Sequence, residues 1–137
     1  MRTTTTISLW LVRVTGTLQL VLGALFWTGH AYGYVPLHII NGFVFVATLW
    51  TIAVLALVAQ TRRRLAVFAL VWGIALPAFG IVQATLLIGP MHWIVRVIHF
   101  LMGFSAMGVG GRLGQAVLAM VPARVAESEG EGELVRR

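Results

Sequence analysis

Residues 36–60 read PLHIINGFVFVATLWTIAVLALVAQ, and Thr61-Arg62-Arg63-Arg64 follows at once. No residue in that stretch carries a full charge. A helix needs about 20 apolar residues to cross the hydrocarbon core of a bilayer, so this stretch is long enough. Proline at its start and an arginine cluster after its end mark both boundaries. Three further stretches of the same kind flank it, at about 7–29, 65–88 and 90–111. The connections between them (30–35, 61–64 and Gly89) are short, which forces antiparallel neighbours. In lipid every backbone polar group needs an internal partner, and four spans are too few for a barrel, so each span is a helix. The expected fold is all-α: an integral-membrane, up-and-down four-helix bundle.

Composition agrees. Of 137 residues, 59% are hydrophobic and only 10% charged, where a soluble domain runs near a quarter charged. A soluble globular protein is therefore excluded. With no cysteine, disulfides and thiol chemistry are excluded as well. All ten basic residues are arginine, and the only acids are Glu127, Glu129, Glu131 and Glu133. No carboxylate lies in any span, so carboxylate-coupled transport and oxygen-ligand cation sites lose their basis.

Arginine placement sets the topology. Arg2, Arg13, Arg62, Arg63, Arg64, Arg112, Arg124, Arg136 and Arg137 fall on one side, and the two opposite loops hold no basic residue. The positive-inside rule then makes both termini cytoplasmic in a multi-pass protein of the cell's inner membrane. The arginines are dispersed and lack an aromatic platform, which speaks against nucleic acid. The first span has the outline of a signal peptide, but Arg13 interrupts it, so it reads as a retained helix. Residues 1–121 form the transmembrane domain. Residues 122–137, rich in Glu, Gly and Arg, read as a disordered cytoplasmic tail.

The two halves echo each other. His38-Ile-Ile-Asn-Gly42-Phe43 matches His99-Phe-Leu-Met-Gly103-Phe104, and Gly16-Thr-Leu-Gln19 matches Gly80-Ile-Val-Gln83. That register makes a duplicated helix hairpin. A competing register pairs Pro36-Leu-His38 with Pro90-Met-His92. On helical wheels the polar and small residues of each span share one stripe. Helix 1 carries Gly16, Gln19, Gly23, Trp27 and His30, and helix 2 carries His38, Asn41, Gly42, Phe45, Thr48 and Ile52. Helix 3 carries Gly73, Pro77, Gly80, Gln83 and Leu87, and helix 4 carries His92, Arg96, His99, Gly103, Ala106 and Gly110. Such stripes face the bundle interior, where small residues allow either close helix packing or open volume.

His99 is the informative histidine. It lies nine residues after Pro90, about 13 Å down the helix. An unpaired polar group at that depth costs several kcal/mol, so it needs a partner. Helices 2 and 4 are diagonal in such a bundle, and the diagonal spans roughly 11–14 Å if adjacent axes are about 8–10 Å apart. That distance suits an iron porphyrin between His38 and His99. Gly42 and Gly103, one turn below, would open the volume, and Arg96, with His92, would meet the propionates.

With these residues the chain resembles small four-helix membrane cytochromes of the b type. The resemblance covers helices 1–4 and implies a bis-His haem b, one-electron transfer, and a redox partner protein or a quinone. Di-haem members place two histidines on one helix about thirteen residues apart. Here His92 and His99 are seven apart and the inner half holds none, so one haem is expected. Two other readings remain open at this point. His30, His38 and His92 form an outer-face Zn or Cu site, or the stripes only pack helices in a non-catalytic membrane scaffold. Oligomers are compatible with all three. By depth His38 also pairs with His92, because His38 sits only two residues after Pro36.

Overall fold

A computed structural model describes the backbone of residues 1–135 and the side chains of residues 1–120. Four helices make up the described chain: α1 (Arg2–Trp27), α2 (Val35–Val58), α3 (Arg63–Val82) and α4 (His92–Val135). Short 3-10 turns at Tyr32–Tyr34 and Gln83–Thr85 join α1 to α2 and close α3. All four helices are long and apolar enough to cross a membrane. In α4 the stretch His92–Met120 is of membrane-crossing length and hydropathy. The expected tail, 122–137, falls on residues whose side chains lie outside the described ones, and the α4 backbone continues there to Val135.

The helices pack up and down. α1 lies against α2 and α4, α3 lies against the same two, and α2 touches α4 across the diagonal. Proline occupies the first turn of α2, where its missing N–H breaks no helical bond. The α3–α4 connection is longer than the single expected glycine. α3 tightens into its 3-10 turn at Gln83, and the chain reverses through Leu87 and Gly89, both at positive φ. α4 therefore starts at His92 rather than Pro90.

Polar side chains inside these spans are satisfied locally. Thr5, Thr15, Thr48 and Thr51 each donate to the carbonyl four residues back, at 2.6–2.9 Å. That leaves their apolar methyl for packing. Two indoles tie neighbouring helices. Trp50 Nε1 donates to the Leu70 carbonyl (3.1 Å), passing over Gly73, which has no Cβ to block the ring. Trp72 Nε1 donates to the Met102 carbonyl (3.2 Å) and to Ser105 Oγ (3.1 Å). Trp10, Trp27 and Trp93 stay exposed, as interface anchors should.

The half of the bundle that holds both termini, which the positive-inside expectation makes the inner one, is solid. Ala53, Ala56, Ala66, Ala69 and Ala106 are fully buried, with Val12, Leu49, Ile52, Leu113 and Val117 between them. Large apolar side chains such as Ile40, Val54, Val71, Ile74 and Leu101 face outward. On a soluble protein that would be a liability; against a bilayer it is the expected surface. Gly110 sits where an added Cβ would lie 3.0 Å from Val12 and 3.2 Å from Leu49. Overpacking of this kind costs about 1–3 kcal/mol. Gly110→Leu should lower the thermal midpoint in detergent by several degrees. Gly108→Leu, with nothing within 4 Å of its added Cβ, should leave it unchanged.

Candidate cofactor cavity

The outer half of the bundle is hollow. A cavity of about 610 Å³ opens there, within the range of about 300–1,000 Å³ usual for ligand pockets. Every helix contributes to it. Gln19, Gly23 and Phe26 come from α1, and His38, Gly42 and Phe43 from α2. Pro77 and Gly80 come from α3, and His92, Arg96, His99 and Gly103 from α4. Pro77 lies inside α3 and offers no N–H to the carbonyl one turn earlier, the usual cause of a local bend. It stands at the depth where packing gives way to open volume.

Both motif histidines line this cavity. His99 is the eighth residue of α4 and His38 the fourth of α2. Measured from the helix starts, their offset is four residues, about 6 Å, against about 10 Å when counted from the prolines. The His99 ring stacks on Phe79 (centroids 5.8 Å, planes 11° apart) and lies over Gly80, where an added Cβ would sit 3.2 Å from its Cε1. The His38 ring meets Phe26 edge-on at 5.4 Å. In both rings Nδ1 is buried and has no hydrogen-bond partner.

His38 Nε2 is engaged by a buried amide chain. Asn41 Nδ2 donates to the Thr15 carbonyl (2.9 Å) and to Gln19 Oε1 (2.8 Å). Those bonds fix both amide orientations, because a backbone carbonyl can only accept. Gln19 Nε2 therefore points at His38 Nε2, at 3.4 Å, and donates to it. Gly42 makes this possible: an added Cβ would stand 2.9 Å from Gln19 Nε2. The space beside Gly42 thus belongs to the Gln19 amide, not to the open volume expected from its place below His38. Gly103 does border open volume, with only Leu20 Cδ2 at 3.9 Å from an added Cβ.

The motif register is visible in three dimensions. His38 and His99 both bury their Nδ1, while Phe43 and Phe104 after the paired glycines are 58% and 56% exposed. His92, the partner in the competing register, is placed differently: its Nδ1 donates to the Leu86 carbonyl at 3.0 Å. Arg96 lines the cavity, and no carboxylate exists in any span to neutralise it.

The three-imidazole reading fails on geometry. His30 is exposed beyond the end of α1, pairs with Thr28 Oγ1 at 3.2 Å, and does not line the cavity. Among the described residues no three His or acidic side chains converge to hold a metal ion. The Gln19–His38 contact, the Gly80 cradle and the two aromatic walls were not read from the sequence. The repeated G-x-x-Q held the signal for the first two, since it places Gln19 and Gly80 one helix away from each histidine.

No protein-family model, curated protein or solved structure matches this chain. The functional reading therefore stands on the fold and the cavity.

Removing the Asn41 amide takes the second donor from the Thr15 carbonyl, which keeps its helical bond, and frees Gln19 to rotate. Asn41→Ala should cost about 1–3 kcal/mol of stability, read as a lowered unfolding midpoint in detergent. Thr17→Ala, at an exposed α1 position, should cost nothing measurable.

Proposed function

We propose that this protein is a membrane haem b protein, with one haem held between His38 and His99 and serving one-electron transfer. The observation that carries the reading is the pair of imidazoles from diagonal helices lining one hollow, otherwise apolar cavity. A purely structural bundle gains nothing from that arrangement. It leaves a cavity of about 610 Å³ inside the bundle, whose lining forgoes packing contacts.

The residues present fit the group. His99 Nε2 makes no hydrogen bond among the described residues, and His38 Nε2 becomes available as a ligand once the Gln19 amide turns aside. Gly23 and Gly103 leave room beside them, with nothing within 4 Å and only one atom at 3.9 Å from their added Cβ positions. Arg96 is a cation at the outer end with no protein anion to meet, and propionates would supply one. When bound, haem b supplies an Fe(III)/Fe(II) couple. Phe26 and Phe79 pack against the His38 and His99 rings and would hold them as ligands. His92 donates from Nδ1 to Leu86, so its Nε2 keeps a lone pair for a hydroxyl donor such as a quinol. With the positive-inside assignment the cavity lies near the outer face of the inner membrane, and electrons arrive from a quinol or leave to an outer-face redox protein.

The test is haem content per protein, by alkaline pyridine assay, across a set of variants expressed with ample haem precursor. His99→Ala should carry none, and a fully loaded variant would remove His99 as a ligand. Gly103→Leu should insert and fold normally yet lose most of its haem; unchanged occupancy would refute the cavity assignment. Arg96→Ala should release haem to apomyoglobin about tenfold faster or more, on the scale of a lost charged hydrogen bond.

A further inference from the structure

The two imidazoles are not equivalent, although the sequence repeat makes them look so. His99 Nε2 makes no hydrogen bond among the described residues. Its ring is stacked on Phe79 and seated over Gly80, within a helix that continues in both directions. His38 stands in the first turn of α2, behind a 3-10 turn with no buried residue. Its Nε2 already has an occupant, the Gln19 amide, oriented by Asn41.

The repeat predicts a matching glutamine for His99, and Gln83 is that residue. It lines the cavity but makes no hydrogen bond to His99. The cause is local. α1 runs on as a helix past Gln19 to Trp27, so the glutamine keeps its helical direction. α3 ends at Val82, and Gln83 opens the 3-10 turn. Only one half of the duplicated device therefore carries an amide competitor.

We propose that His38 is the exchangeable one of the two ligands, and that Gln19 holds it in its released form. This deepens the haem reading and rests on it. With haem in place, exchange would break the bond from iron to His38 Nε2 and form one to a diatomic probe such as carbon monoxide. The freed Nε2 lone pair accepts the Gln19 N–H, so no buried lone pair is stranded. No electron or proton is transferred. Gln19 is a positioning residue: it stabilises the released form of His38 and leaves His99 untouched. Gly42 gives the amide the space it needs in that released form.

The experiment uses the full chain in detergent, reduced with dithionite and titrated with carbon monoxide under a visible spectrometer. Wild type should show a saturable shift of its Soret band. His38→Ala should keep its haem through His99, become high-spin, and bind carbon monoxide more tightly and faster. His99→Ala should hold no haem. Gln19→Leu should stay low-spin and bind carbon monoxide roughly three- to tenfold more weakly, on the scale of one neutral hydrogen bond lost from the released form. Asn41→Ala, which frees the same amide, should shift binding in the same direction and covers the case in which Gln19→Leu does not fold. Equal haem loss in His38→Ala and His99→Ala would overturn the inequality while leaving a bis-His haem intact. A haem-loaded wild type inert to carbon monoxide would overturn the exchange of His38. Wild type without haem would overturn the haem reading and this proposal together.

Discussion

Hydrogen-bond satisfaction in an apolar solvent governs this molecule. A bilayer core offers no water to a stray N–H or lone pair, and each unmet group costs several kcal/mol. The chain obeys that constraint almost throughout. Threonine hydroxyls bond back to their own helix, two indoles find carbonyls on the next helix, and Asn41 and Gln19 serve each other. Among the described residues the two imidazole Nδ1 atoms are the exception, and both histidines line the cavity. A departure confined to one place, on both sides of one void, marks where the fold serves something other than its own stability.

Small residues divide the labour along the bundle axis. In the inner half alanine and glycine bring helices together: Gly110 under Val12 and Leu49, Gly114 under Leu9, and fully buried alanines on α2, α3 and α4. In the outer half the same residue type holds volume open or admits a functional side chain. Gly23 and Gly103 face space, Gly80 seats His99, and Gly42 admits the Gln19 amide. Pro77 lies where one regime gives way to the other. The tight half positions the hollow half, because a cavity in a bundle persists only if neighbouring layers resist collapse.

Much of this was legible in the sequence. Spans, antiparallel order and inward stripes follow from apolar length, short connections and helical periodicity, and they match α1 to α4 closely. That His38 and His99 face the bundle interior was legible too, from the stripes on the second and fourth spans. What periodicity cannot supply is the partner of a side chain on another helix. Gly42 was assigned to open volume because the wheel shows its face and not the Gln19 amide opposite. The outer triad looked possible because His30 shares the α1 stripe, but the helix ends at Trp27 and the stripe ends with it. The depth offset between the histidines was overestimated because Pro90 was taken as the start of α4, whereas the chain turns through Gly89 and begins the helix at His92.

The central claim is that the hollow outer half carries a haem between two imidazoles. The most direct measurement is the visible spectrum of the detergent-purified protein, oxidised and then reduced with dithionite. The account predicts a sharp Soret band and, on reduction, a narrow α band of low-spin haem b at one haem per chain. A colourless protein, purified from cells with ample haem supply, would contradict it.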